Sequence, residues 1–237
     1  SVSSHKAGKA MNLTHGGLYI VLYTHTIFDK ADDKLRAALR DFGFPIESNP
    51  HHRQIVTRTI IEFCCSPTSK IGCAAPPDCR VLRMTIKQDV TQQHNLDALI
   101  AKIEATKHPI LLWAAIPCTG GSPWFRVMKN QPGAAKKQQT HVETMHQIWA
   151  AFESIASLVL ARGGHVCIEW PHQCDYWKLP MVTTFLSKYG LSTSTFDGCA
   201  HGLKSIARKT FGIAIRKPWR IATTCPPLCD ALSAKCD

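Results

Sequence analysis

From about Gln54 onward the chain alternates short apolar runs with stretches in which apolar residues recur every three or four positions, and this alternation sets the class of fold. Thr59–Cys64, Arg80–Thr85, Pro109–Ile116 and His165–Glu169 are the apolar runs, with the length and composition of buried strands. Between them, Asn95–Thr106 brings Leu96, Leu99, Ile100 and Ile103 onto one helical face, and Thr140–Leu160 does the same with Met145, Ile148, Trp149, Phe152, Ile155 and Leu158. Strands separated by helices predict an α/β fold with a mostly parallel sheet. Three further runs, Ser192–Phe196, Ile213–Ile215 and Arg220–Thr223, are short and close together, which predicts an antiparallel finish at the C-terminal end.

The 237 residues suffice for one substantial domain and an appendage. Residues 1–16 read as a flexible basic leader without the apolar core of a secretion signal. Residues 17–53 read as an extension, with a strand at Leu18–Tyr23, a helix at Asp29–Phe42 and a linker rich in Pro, Asn and His over Gly43–Arg53. The principal domain is 54–237. No apolar run approaches the roughly 18 residues of a membrane span, so no membrane partner is expected. A formal net charge of +11 favours a polyanionic partner, with nucleic acid, DNA or RNA, as the natural candidate. The eleven cysteines are odd in number and partly embedded in apolar strands, which points to an intracellular, reducing compartment, nucleus or cytoplasm.

Open parallel sheets bind ligands beyond the carboxyl ends of their strands. Three strand ends here carry unusual residues: Glu62-Phe63-Cys64-Cys65-Ser66-Pro67-Thr68-Ser69, Pro117-Cys118-Thr119-Gly120-Gly121-Ser122-Pro123-Trp124, and Glu169-Trp170-Pro171-His172. Cys118 follows a strand and a proline and precedes a Gly-Gly pair able to fold closely round a ligand, the setting of a candidate nucleophile. Glu169 closes an apolar strand, where a buried carboxylate needs a partner or a catalytic task.

The order of these motifs resembles that of the cytosine-C5 methyltransferases. The strings Ile116–Trp124, Ile168–Pro171, Phe196–Cys199 and Arg216–Arg220 are also similar to methyltransferase-like domains of algal, especially dinoflagellate, retroelement polyproteins, over about Arg58 to Leu228. The resemblance implies a Rossmann-like class I methyltransferase core and S-adenosylmethionine as cofactor. It places Glu62, Phe63, Cys65, Ser66, Pro67, Ser69, Asp89 and Pro117 against that cofactor, makes Cys118 the nucleophile, and makes Glu169 the carboxyl that engages the target base. Thr119, Gly120, Gly121, Ser122, Trp124 and Trp170 would surround the substrate, with Arg216, Trp219 and Arg220 on its backbone. Trp113 and Phe125 would add stacking surface.

The chain departs from that pattern in its cofactor loop, where Cys-Cys-Ser-Pro-Thr-Ser stands in place of a glycine-rich turn. It also lacks a Gln-x-Arg-x-Arg pattern, and the interval from Asp89 to Pro109 has room for one helix but hardly for a further strand, so the core is expected to be reduced. These departures keep open a catalytically inactive nucleic-acid-binding module with the same fold. Other readings are narrower. Cys64, Cys167 and Cys199 read as buried small hydrophobes. A zinc site from Cys225, Cys229 and Cys236 with Cys174, Cys199 or His51–His52 lacks paired Cys-x-x-Cys spacing, so no metal is assigned. A cysteine hydrolase would pair Cys118 with His141, His146 or His172 without a supporting His–Asn or His–Asp pattern. Lys136–Lys137 reads as phosphate contact or solvated helix start, and Asp197 with His201 as a turn near the pocket.

Overall fold

Runs such as RTIIEF and HVCIEW can bury both faces of a strand, and they form the centre of the sheet. The computed structural model describes residues 56–128 and 130–236. The strand expected at Leu18–Tyr23 and the helix expected at Asp29–Phe42 lie outside the described residues. The strands are β1 (Arg58–Phe63), β2 (Cys79–Met84), β3 (Ile110–Ala114), β4 (His165–Pro171), β5 (Ser192–Asp197) and β6 (Pro218–Thr223). They form one sheet in the order β2-β1-β3-β4-β6-β5. The first four are mutually parallel, and β6 runs antiparallel to both β4 and β5.

This is a Rossmann-like α/β arrangement around a mostly parallel sheet. Only β6 is reversed, because β5, antiparallel to β6, runs with the first four. Ile213–Ile215 forms no strand; Ala214 makes a single bridge to Lys204. Eight residues, Thr85–Gln92, separate β2 from the helix α2 (Gln93–Glu104), so β2 remains an edge.

The remaining helices are α1 (Lys70–Ala74), α3 (Pro123–Met128), α4 (Ala134–Ala161), α5 (Pro180–Lys188) and α6 (Pro226–Ala231). Four of these, α1, α3, α5 and α6, were not foreseen, being short; α5 and α6 are announced mainly by a proline in the first turn. Met145, Ile148, Trp149, Phe152, Ile155, Ala156 and Val159 recur at helical spacing along α4 and are buried. This stripe lies on the sheet face that carries Phe63 and Trp170. Phe152 meets Phe63 at 5.9 Å, and Trp149 stacks on Trp170 at 5.9 Å. Phe185 of α5 closes the cluster against both Trp149 and Phe152. Truncating any of these rings would cost about 3–5 kcal/mol, and this packing holds the loops after β3 and β4 in place. The opposite face, with α1 against β1 and α6 against β5 and β6, carries Glu62, Trp113 and Glu169. No helix among the described residues is long and apolar enough to cross a membrane.

Candidate active site

Side chains alternate along a strand, so Glu62, its register partner Trp113, and Cys167 beside Trp113 point to one sheet face, with Glu169 two residues further along β4. Glu169 is 1% exposed. Its Oε2 accepts a hydrogen bond from Trp113 Nε1 at 3.1 Å, while its Oε1 has no hydrogen-bond partner among the described residues. Burial pushes the carboxyl up to about 7, against the opposing pull of Trp113 and Lys217. Near neutral pH the group therefore stands about half protonated and can donate as well as accept.

Cys118 lies just past β3, where the chain turns into the 3₁₀ segment Thr119–Gly121. Its thiol is buried and held neutral by that burial, with Lys217 opposing and Glu169 reinforcing the effect. Lys217 is pulled down by burial and supported by Cys118 and Glu169 in return. The three groups are thus close enough for each charge to act on the other two.

Lys217 was missed in the sequence, where the flanking Arg216, Trp219 and Arg220 drew attention. β6 is reversed, so the residue just before it arrives at the carboxyl ends of the parallel strands. The backbone carbonyl of Lys217 accepts from Gly198 N–H at 2.9 Å, and its ammonium rests 4.7 Å from the Trp219 ring centroid. An antiparallel last strand beginning Lys-Pro-Trp was the available signal.

The expectations for Trp113, Trp170 and Trp219 are corrected by their burial, and Arg216, Arg220 and Phe125 each have a protein partner. Trp170 is fully buried on the opposite face and donates from Nε1 to the Ile116 carbonyl at 2.6 Å, so it braces the Cys118 loop instead of stacking on substrate. Trp219 is also fully buried and seats Lys217. The guanidinium of Arg220 stacks on Trp177 at 4.7 Å. Arg216 pairs with Asp197 at 3.3 Å. Trp113 is buried and serves Glu169. Phe125 meets His141 at 5.9 Å. The side chain of Trp124 lies outside the described parts, although its backbone belongs to α3.

The Gly-Gly pair is explained by packing against protein, not by approach to a ligand. A Cβ at Gly120 would lie 2.5 Å from Tyr176 Oη, and one at Gly121 would lie 2.7 Å from Tyr176 Cδ1 and 2.9 Å from Cys174 Sγ. Gln138 donates to the Gly120 carbonyl at 3.1 Å, tying the turn to α4. Thr119, Ser122 and Pro117 are half-buried around Cys118.

At the end of β1, Phe63 points into the core on the α4 side, away from any cofactor. Glu62 is saturated: Ser69 Oγ donates to Oε1, Arg83 Nε donates to Oε2 at 3.0 Å, and Gly72 N–H adds a third hydrogen bond. Burial still raises its pKa above the ordinary value. Cys64 stands at φ 62°, the left-handed conformation that favours glycine, so the loop makes a glycine-like turn without glycine. Cys65 N–H bonds to the Met84 carbonyl at 3.1 Å, and its thiol is pushed up to about 12 by burial. Ser66 forms a local turn with Thr68, and Pro67 is exposed at the rim of a cavity of about 450 Å³. Arg83, Met84, Thr85, Gln88 and Asn95 also line it. Asp89 is exposed, and its Oδ1 accepts from Thr91 N–H at 2.9 Å and Oγ1 at 2.8 Å, which lowers its pKa.

Cys199 and Cys236 are joined in a disulfide and the other nine cysteines are free, so Cys199 is half-buried and cross-linked where a buried free thiol was expected. Cys64 is likewise half-buried, whereas Cys167 is fully buried as expected. Among the described residues no group of three or more His, Cys, Asp or Glu is placed to hold a metal ion.

No protein-family model matches the chain, and no curated protein sequence matches it either. Among solved structures, it is similar to the protein-(glutamine-N5) methyltransferase (release factor-specific) of Alicyclobacillus acidocaldarius. The match has 15% identity over 83% of this chain and 91% of that one, with a TM-score of 0.35.

Proposed function

We propose that this protein is an S-adenosylmethionine-dependent methyltransferase acting on nucleic acid, at cytosine C5, through covalent catalysis by Cys118. The observation that carries the reading is Glu169: a buried carboxyl with one oxygen fixed by Trp113 and the other unpartnered, beside a thiol and an ammonium. A buried acid that gained nothing from its position would be costly, and acids held partly neutral near pH 7 are suited to donating a proton or hydrogen bond.

The cofactor fits the β1 end in backbone shape. The left-handed turn at Cys64 and the adjacent cavity favour a nucleoside held by Pro67, Thr85, Gln88 and Asn95. When bound, S-adenosylmethionine supplies an electrophilic methyl group on a sulfonium. The remaining chemistry belongs to the chain. Lys217 favours the thiolate of Cys118, which adds to C6 of the pyrimidine. Protonated Glu169 hydrogen-bonds ring N3 and takes up the charge displaced by that addition, leaving C5 nucleophilic toward the methyl. Loss of the C5 proton to a base and expulsion of the Cys118 thiolate restore the ring. The base must leave its stack to reach this buried site.

A nucleic-acid-binding module that retains the fold without methyl transfer is the second reading. It is favoured by the saturation of Glu62 and by the absence of an acidic residue at the end of β2, where Arg83 stands. Calorimetric titration with S-adenosylmethionine separates the two, with binding heat expected for the first and none up to millimolar ligand for the second. An oligonucleotide carrying 5-fluorocytosine tests the chemistry, because fluorine at C5 cannot leave as a proton does. A covalent adduct is expected in the presence of cofactor and should vanish in Cys118→Ala. Methyl transfer that survives that substitution would overturn the mechanism.

A further inference from the structure

Between the turn Gly198–His201 and Lys217 the chain leaves the sheet as a finger, residues 202–216, which no step above employs. It is ordered by its own hydrogen bonds. Lys204 bridges Ala214, Ser205 N–H donates to the Ile213 carbonyl at 2.8 Å, Gly212 N–H donates to the Ser205 carbonyl at 2.8 Å, and the hydroxyls of Ser205 and Thr210 lie 2.6 Å apart. Leu203 is buried at its base, and Ile215 packs against the core there.

Beyond that base the finger presents apolar side chains to solvent. Ile206, Phe211 and Ile213 are 52%, 76% and 59% exposed, and they are half of the six large exposed apolar side chains among the described residues. Lys204, Arg208 and Lys209 are exposed beside them, and no Asp or Glu occurs anywhere from Gly198 to Arg220. A surface that is pre-shaped, cationic and apolar at once matches a partner with negative charge and flat apolar groups in alternation.

We infer that this finger is a docking surface for single-stranded nucleic acid, with Phe211 stacking on a base and Lys204, Arg208 and Lys209 neutralising phosphates. The inference deepens the proposed function and rests on its nucleic-acid reading. The placement supports it: the finger's base is the turn that holds Lys217, so a strand on the finger is delivered to the end of the sheet where Cys118 and Glu169 lie. An anionic lipid surface would satisfy the charge and the apolar tip, but it has no ring for that site to receive.

The test uses the full chain and a fluorescein-labelled, mixed-sequence single-stranded oligonucleotide, read by anisotropy without cofactor across a salt series. Phe211→Ala is expected to weaken binding about tenfold at every salt concentration, the cost of one lost base stack. Arg208→Ala with Lys209→Ala is expected to flatten the slope of log affinity against log salt by about 1.4, from two phosphates at about 0.7 each. All three side chains are exposed, so thermal unfolding should not move; a shifted Tm would be handled by Phe211→Tyr, expected to retain binding. Unchanged affinity and slope in the variants would overturn the inference. So would Phe211-dependent sedimentation with phosphatidylserine vesicles in a protein that ignores the oligonucleotide. Finger-dependent binding without any cofactor heat would overturn methyl transfer alone, and cofactor heat with trapping but finger-independent binding would overturn the finger alone.

Discussion

Two buried glutamates end neighbouring parts of the same sheet face, and their surroundings differ in one respect. Glu62 on β1 is fully engaged by Ser69, Arg83 and Gly72, whereas Glu169 on β4 has one oxygen engaged by Trp113 and one open. Both are 1% exposed, so burial does not separate them. Partner saturation does: Glu62 is a brace that ties the loop after β1 to β2, and Glu169 keeps one oxygen without a hydrogen bond among the described residues. The resemblance assigned both to function, and their hydrogen bonding differs.

The largest effect on this comparison should come from Glu62→Ala. Removing one partner of a buried, hydrogen-bonded pair costs about 3–5 kcal/mol, and Arg83 is partly exposed, so a loss of about 3–4 kcal/mol in urea unfolding is expected. A loss below about 1 kcal/mol would deny Glu62 its bracing role.

Glu169→Gln should act in the opposite direction. A folded-state pKa of about 7 against an ordinary value of 4.5 means that the folded protein holds the proton more tightly than the unfolded chain does. The associated stability is fully present below about pH 4.5 and is lost as pH rises through about 7. At about pH 8.5 the variant should therefore be more stable than wild type by up to about 3 kcal/mol, with little difference at about pH 4.5. Urea midpoints at the two pH values check the sign.

Gly72→Ala probes the brace without touching its charges. A Cβ there would overlap the Arg83 guanidinium, the Glu62 carboxylate and Val81 Cγ1, and a loss of about 2 kcal/mol is expected. The smallest effect belongs to Trp113→Phe, which removes the one donor to Glu169. Stability should fall by about 1 kcal/mol, and the pKa of Glu169 should rise, because the lost hydrogen bond favoured the charged form.

The sheet was largely legible in the sequence because apolar runs report burial directly, and all six of its strands and its two long helices were expected there. What escaped lies where tertiary context overrides local pattern. Ile213–Ile215 has strand composition, yet it sits on a finger with no sheet edge to join. Cys118 and Glu169 were singled out because loops after parallel strands collect ligand groups, and the structure brings them within electrostatic reach of each other. Trp170, Trp219 and Arg220 were placed on substrate because an aromatic or basic residue beside a motif reads alike whether it faces solvent or core; the alternation of faces about Glu169 decides for Trp170 and Arg220, and burial beneath Lys217 decides for Trp219. Lys217 was passed over because its position follows only from the reversal of β6, which brings the residue before that strand to the carboxyl ends of the parallel strands.

The account rests on a carboxyl at Glu169 that titrates near neutrality within electrostatic reach of Lys217, and carbon-detected NMR of protein labelled at the glutamate carboxyl measures it directly. The signal that disappears in Glu169→Gln should titrate with a midpoint near 7 and move upward in Lys217→Met. If that signal instead titrates below about 5, or is indifferent to Lys217, then Glu169 is an ordinary buried acid and the site built around it does not exist.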